Sequence, residues 1–126
     1  MPDSTADCLF CRIVAGEIPS TEVYSSTRSY AFRDLNPQAP THVLVIPKAH
    51  ITNADTIVAA DAADVADLFV TAQQVARLEG LVKPGTDPEV EGGYRTVFNV
   101  GEISGNSVAH LHLHVLGGRR LGWPPG

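Results

Sequence analysis

The sequence has few basic residues, few cysteines and no long apolar run, and each shortage disfavours a class of protein. Nine Lys and Arg residues stand against 14 Asp and Glu, for a net charge of −5, whereas a general nucleic-acid or anionic-membrane binder would carry a basic patch. No apolar run approaches the roughly 18 residues of a membrane span, and the N-terminus lacks a signal peptide's basic and apolar regions. We therefore expect a cytoplasmic protein whose two cysteines form no structural disulfide, because that compartment is reducing.

The residues that are present suffice for one folded unit. The chain has 126 residues, of which 44% are hydrophobic, so we expect a single domain over residues 1–126. Short strands are predicted at 22–25, 29–35, 43–46, 95–100 and 111–116.

Two helices complete the prediction. A short one covers 8–15, with Asp7 as its cap and Gly16 at its end. The longer one covers 61–80, where apolar residues recur at three- and four-residue steps. This order of elements predicts an α+β domain on a mostly antiparallel sheet.

Three of the five histidines alternate with apolar residues in the run HLHLHV. His110, His112 and His114 share one face of the predicted strand, and the residues between them face the core. Three interpretations are open: one metal held by all three, a polar face without chemistry, or one attacking imidazole whose neighbours act as ligand and phosphate contact. A single metal would strain a flat strand, because the outer Cα atoms lie about 13 Å apart.

Imidazole suits attack at phosphorus because it is largely neutral at pH 7 and can form a covalent phosphoryl intermediate. The residues just before the histidines favour such chemistry. Gly101 and Gly105 let backbone N–H groups approach phosphate oxygens closely. Ser107 can donate a proton to a leaving group, and Asn99 can hold a substrate oxygen.

Cys8 and Cys11 are spaced to share one face of the short helix. The pair fits redox chemistry, ordinary burial or zinc binding, and the lack of a preceding strand disfavours a thioredoxin-like role. Zinc would need two further ligands, for which His50 and His110 are the free candidates, in a closed structural site. The fifth histidine, His42, has no motif partner, and we expect it at an ordinary strand-edge position.

The histidine run, together with the segments CLFCRIVAGEIP, YAFRDLNPQAPTHVLVIPKAHI, YRTVFNVG and LGGRRLGWPPG, resembles the histidine triad (HIT) family. The resemblance covers nearly the whole chain and points to the Hint branch, the purine nucleoside phosphoramidases. It implies a HIT-like fold: a five-stranded, mostly antiparallel sheet with one long and one short helix. It also implies a homodimer whose two sheets join into a ten-stranded sheet.

The resemblance implies hydrolysis of purine nucleoside 5′-phosphoramidates to an amine and a nucleoside monophosphate. By motif position, His112 is the nucleophile that forms a nucleotidyl-histidine, His114 and Ser107 complete the catalytic set, and Asp34 accepts the ribose hydroxyls. Trp123 would help to shape the leaving-group site. The family's other nucleotide-binding positions fall on Asn99, Gly105 and Asn106 near the phosphate and on Leu9, Phe10, Phe32, Arg33 and Leu35 near the base.

Some HIT proteins bind structural zinc through residues that match Cys8, Cys11, His50 and His110, so the resemblance favours zinc as a cofactor. The sequence departs from the Hint pattern at two places. Asn106 stands where Gln is usual, and the loop at 83–93 is longer than usual.

Other functions remain open at this point. One is a hydrolase of dinucleoside polyphosphates, from another branch of the family. Another is a non-catalytic nucleotide-binding or adaptor protein, although binding alone does not require a nucleophile. A zinc-dependent hydrolase is a third. The apolar pocket wall does not decide between adenine and guanine.

Overall fold

The computed structural model describes residues 7–126, so the first six residues of the expected domain lie outside the described part. Two helices and five strands make up this part: α1 (Leu9–Val14), β1 (Glu22–Ser25), β2 (Ser29–Arg33), β3 (Thr41–Pro47), α2 (Ala62–Leu78), β4 (Arg95–Val97) and β5 (Leu113–Gly117). Single 3-10 turns lie at Ala54–Thr56, Ala59–Asp61 and Glu102–Ser104. No helix within 7–126 is long and apolar enough to cross a membrane.

The strands form one sheet in the order β1-β2-β3-β5-β4, and every pair is antiparallel. The predicted α+β fold, with five strands, one long helix and one short helix, is confirmed. All seven residues of β3 are buried, because this apolar strand lies at the centre of the sheet with layers on both of its faces.

Helix α2 covers one face of the sheet. Its buried residues include Leu68, Ala72, Val75 and Ala76, which recur at the helical spacing and form a core with strand residues. The strands contribute alternate positions, and the segment just before β5 adds Leu111 to the set: Ala31, Val43, Val45, Leu111, Leu113 and Val115. The apolar residues between the histidines thus lie in the core, as predicted.

The opposite face of the sheet carries α1 and the histidines. Phe10 of α1 packs there with Phe32, Leu44 and Ile46, the residues that alternate with the helix-facing set. Its ring centroid lies 5.2 Å from that of His112, edge-on. Alternation along the strands therefore separates a largely apolar core from a face that holds the histidines.

Several predicted boundaries need correction. The N-cap of α1 is Cys8, whose sulfur accepts from the Cys11 N–H, so the prediction of Asp7 as the cap was wrong. Strand β5 begins at Leu113, so only His114 of the three histidines lies within it. The preceding segment leaves the sheet, because the N–H of Leu111 bonds to the carbonyl of Ile51 instead.

Candidate metal centre and nucleotide pocket

Four thiol and imidazole groups converge beside α1, as the sequence predicted. The Sγ atom of Cys8 lies 3.2 Å from Nδ1 of His110, and that of Cys11 lies 3.3 Å from Nδ1 of His50. The two Nδ1 atoms are themselves 3.2 Å apart. The helix supplies both sulfurs because Cys8 is its N-cap and Cys11 lies one turn on.

This cluster fits a tetrahedral metal. Zinc bonds of about 2.0–2.1 Å to nitrogen and about 2.3 Å to sulfur place ligand atoms roughly 3.3–3.8 Å apart. All four donor atoms lie within 4.8 Å of one another, so these residues can hold a metal ion with no ligand position left for substrate. The predicted Cys2His2 cluster is confirmed.

The protonation of the cluster also suits a metal. Burial lowers the pKa of His110 to about 4, so its imidazole is neutral at pH 7, as a ligand must be. The Nε2–H of His110 donates to the Pro47 carbonyl at 2.9 Å, which leaves Nδ1 with its lone pair towards the cysteines. Burial and the Cys8 sulfur raise the pKa of the Cys11 thiol to about 11, an effect that a bound cation reverses.

A pocket of about 450 Å³ opens on the same side of the sheet. It brings together most of the residues that the sequence assigned to nucleotide binding: Leu9, Phe10, Phe32, Arg33, Asp34, Leu35, Gly105, Ser107, His112 and His114. Two predicted residues, Asn99 and Asn106, are not part of its lining. The size and the mainly apolar wall with a few polar groups are typical of small-molecule sites.

The hydrogen bonds of His112 decide which of its nitrogens is free. Nδ1 lies 2.7 Å from the backbone carbonyl oxygen of His110, which can only accept, so Nδ1 carries the proton. Nε2 therefore keeps its lone pair. Burial lowers the pKa of His112, although the bond to the His110 carbonyl and the charge of Asp34 oppose this. The ring is thus a neutral base or nucleophile at pH 7.

His42 is a member of the site that the sequence analysis missed. It is buried in the central strand β3, so the prediction of an ordinary strand-edge position was wrong. Its Nδ1 accepts from the backbone N–H of Gln38 at 3.0 Å, and its Nε2 lies 2.9 Å from Nδ1 of His114. The two rings meet because His114 pairs with Leu44 across the strands, which makes His42 its diagonal neighbour.

These contacts determine which nitrogen carries the proton in the rings of His42 and His114. The N–H of Gln38 can only donate, so Nδ1 of His42 is unprotonated and Nε2 carries the hydrogen. That hydrogen is donated to Nδ1 of His114, which leaves Nε2 of His114 as an N–H donor. This Nε2 is buried and has no hydrogen-bond partner among the described residues, so a donor remains for a group that enters the pocket.

Asp34 lines the pocket next to His42. One carboxylate oxygen accepts from the Asn36 N–H at 2.7 Å, and the other lies 3.4 Å from Nε2 of His42. Asp34, His42 and His114 are close enough to suggest a second metal site. The proton on Nε2 of His42 argues against one, because a metal there would need the lone pair that the tautomer lacks.

The structure also gives the surroundings of three further residues that the sequence analysis named. The Arg33 guanidinium makes a two-pronged bond to Glu79 of α2, at 2.6 and 2.9 Å, so its charge is held on the helix side of the sheet. The Asn106 side-chain oxygen is buried without a partner among residues 7–126. Trp123 is 81% exposed, and the Arg95 guanidinium lies 5.9 Å from its ring centroid.

The chain matches known proteins over nearly its whole length. The family model of the HIT domain matches residues 15–121. An uncharacterised HIT-like protein of Synechococcus elongatus is 45% identical, over 95% of this chain and 97% of that protein. A 14 kDa zinc-binding protein of Zea mays is 43% identical, over 94% and 87% respectively.

A solved structure agrees with these matches. The crystal structure of a HIT family hydrolase from Legionella pneumophila superposes with a TM-score of 0.85 at 47% identity, covering 95% of this chain and all of that one. The sequence matches and the shared fold show that this chain belongs to the HIT family.

Proposed function

We propose that this protein hydrolyses purine nucleoside 5′-phosphoramidates through a covalent intermediate on His112. The observation that carries the proposal is the 2.7 Å bond from Nδ1–H of His112 to the His110 carbonyl. It fixes the ring with its Nε2 lone pair available in a pocket that also holds His114, Ser107 and Asp34. The similar Legionella protein is named a HIT family hydrolase, which supports a hydrolytic reaction.

The reaction divides into two displacements. Nε2 of His112 attacks the α-phosphorus, the P–N bond breaks, and the amine leaves with the bonding electrons and a proton from Ser107, which regains a proton from the attacking water of the second step. Water then attacks phosphorus, the bond to His112 breaks, and the nucleoside monophosphate is released with the neutral ring restored. The Nε2–H of His114 is available to bind a phosphate oxygen, whose charge grows as the new bond forms.

The substrate's nucleoside is assigned to the apolar end of the pocket. Phe10 and Phe32 are buried there, with ring centroids 5.5 Å apart, and Leu9 and Leu35 also line it. Asp34 offers carboxylate lone pairs for the ribose hydroxyls. Gly105 supplies backbone close to the phosphate end.

The direct test is mass spectrometry of the protein mixed with a slowly turned-over AMP-amine conjugate. We expect a mass gain of one nucleotidyl group that maps to His112 and disappears in His112→Asn. Product formation without such an adduct, or an adduct elsewhere, would contradict the mechanism. Faster turnover of a diadenosine polyphosphate than of the AMP-amine would favour the polyphosphate hydrolase, and tight AMP binding without turnover would favour an adaptor.

We also propose that the Cys2His2 cluster binds structural zinc. Its donor set and spacing fit zinc, and the similar Zea mays protein is named a zinc-binding protein. A bound ion would hold α1 against the segment that precedes β5. The chemistry it supplies is structural, because the four side chains close its coordination shell.

We infer that the protein works as a homodimer. Strand β4 lies at one edge of the sheet formed by the described residues, and pairing two such edges would give the expected ten-stranded sheet. The C-terminal segment lies beside this edge, since Arg95 of β4 donates to the Gly122 carbonyl at 2.8 Å. Sedimentation equilibrium tests this inference, and a monomer at micromolar concentration would contradict it.

A further inference from the structure

An arginine outside the pocket is linked to the histidines by a single residue. Nη2 of Arg119, just after β5, donates to the Gln38 carbonyl oxygen at 3.0 Å. The N–H of the same Gln38 donates to Nδ1 of His42 at 3.0 Å. One face of this loop residue thus binds the arginine and the other binds a pocket histidine.

A second contact holds the same two segments together. Gly118 has φ +90°, a conformation that favours glycine, and a Cβ at that position would lie 2.8 Å from Cβ of Pro40. The segment after β5 therefore approaches the loop between β2 and β3 more closely than any other residue would allow. Arg119 extends this contact to the carbonyl of Gln38.

The Gln38 N–H matters because it sets the protons of two rings. While it bonds to Nδ1 of His42, that ring must carry its hydrogen on Nε2 and donate to His114. If the loop moved away, His42 could adopt the other tautomer and accept from Nδ1 of His114. Nε2 of His114 would then present a lone pair, which repels a phosphate oxygen instead of donating to it.

We propose that Arg119 is a positioning residue that keeps the proton on Nε2 of His114. It does so by holding the Gln38 carbonyl, so that the Gln38 N–H stays on His42. The effect on catalysis rests on the proposed function. The effect on the tautomers does not, because it exists in the free protein.

The first test needs no substrate. Imidazole ¹⁵N NMR separates protonated from unprotonated ring nitrogens, and in the wild type we expect His42 and His114 each to carry the proton on Nε2. In Arg119→Ala the Nδ1 and Nε2 shifts of both rings should move towards each other, as the tautomers mix. Arg119→Lys, which can still donate to the carbonyl, should restore most of the wild-type pattern.

Arg120→Ala is the matched control. Arg120 is an adjacent exposed arginine, and its side chain makes no hydrogen bond or ion pair within residues 7–126. Its replacement should leave the ring shifts unchanged. Unchanged shifts of His42 and His114 in Arg119→Ala would overturn the proposal, as would equal shifts in both alanine variants.

Kinetics then separates this proposal from the proposed function. With an AMP-amine substrate, Arg119→Ala should lower kcat about tenfold, the worth of one charge-assisted hydrogen bond, with KM within about twofold. If the wild-type protein shows no turnover, the proposed function is wrong, and the NMR result still decides the role of Arg119. If the wild type shows turnover but Arg119→Ala has unchanged imidazole ¹⁵N shifts and unchanged kcat, only the proposed role of Arg119 is wrong.

Discussion

The Nε2 atom of His42 lies 2.9 Å from Nδ1 of His114, in a series of donors that begins at the backbone N–H of Gln38 and ends at the Nε2–H of His114. The series has one direction because its first member can only donate. It directs a hydrogen from His114 into the pocket without any ring being charged. The proposed reaction therefore depends on His42 as well as on His112 and His114.

Replacement of His42 tests this series of donors. We expect His42→Phe to lower kcat on the order of 100-fold, because nothing then donates to Nδ1 of His114 and its Nε2 can lose the proton. His42→Gln, whose amide can still donate, should lose much less. The measurement is steady-state kinetics with an AMP-amine, with thermal melting as the check on folding. Equal loss in the two folded variants would show that donation to His114 is not what matters.

Replacement of His112 should abolish the covalent route. His112→Ala removes the nucleophile, and we expect kcat to fall by a factor on the order of 10⁴ or more. Binding of AMP, measured by calorimetry, should change little because the pocket wall and Asp34 remain. Turnover that survives in this variant at wild-type rates would rule out a nucleotidyl-His112 intermediate.

Asp34 should act through the ribose. We expect Asp34→Asn to lower kcat/KM by roughly 10- to 100-fold, the cost of losing charge-assisted hydrogen bonds to hydroxyls. The wild type should lose a comparable factor on a 2′-deoxy substrate, and the variant should discriminate less between the two sugars. The comparison needs four kcat/KM values. Full discrimination retained by Asp34→Asn would place the ribose elsewhere.

The metal cluster predicts a specific stability effect. The protein should bind one zinc per chain, measured by atomic emission, and Cys11→Ser should bind it weakly. With zinc in 100- to 1,000-fold excess over Kd, the variant's free energy of unfolding should be about 3–4 kcal/mol lower. In excess chelator the difference should largely disappear. A difference that persists in chelator would assign the effect to packing of the thiol.

The buried histidine also predicts how stability depends on pH. Burial, and the proximity of His112 and His42, lower the pKa of His114 from 6.5 to about 4. The unfolded chain therefore takes up a proton near pH 6.5 that the folded protein refuses until about pH 4. The stability due to His114 is fully present above pH 6.5 and falls as the pH drops towards 4.

Chemical denaturation at pH 7 and pH 5 measures this slope. His114→Gln should reduce the loss of stability between the two pH values, because its amide does not titrate. Both proteins keep the Cys2His2 cluster, so acid loss of metal affects them alike. An identical slope in the two proteins would mean that other groups carry the acid sensitivity.

The sequence predicted the parts of this site that depend on local pattern. Alternation placed Leu111, Leu113 and Val115 in the core and the three motif histidines on the other face. The same alternation also places the Arg33 side chain on the helix side of the sheet, whereas the family resemblance had assigned Arg33 to the base pocket. Since Phe32 faces the pocket, its neighbour must point to the helix side, where Glu79 lies.

His42 shows what local pattern cannot supply. Its partner His114 is 72 residues away, and the contact depends on the register between β3 and β5, which a single sequence does not reveal. The start of β5 was predicted two residues too early for a similar reason. The bond of Leu111 to Ile51 and the contact of His110 with Cys8 are tertiary interactions that override strand propensity.

The main-chain carbonyl of His110 limits what side-chain substitutions can reveal about this site. His110 faces the cysteines with its ring, and its main-chain carbonyl accepts from the His112 imidazole at 2.7 Å. Every amino acid at position 110 retains that oxygen, so a side-chain substitution tests the contact of the ring with the cysteines but not the contact of the carbonyl with His112. Backbone ester substitution at this peptide unit, which weakens the acceptor and spares the ring, would test the latter contact.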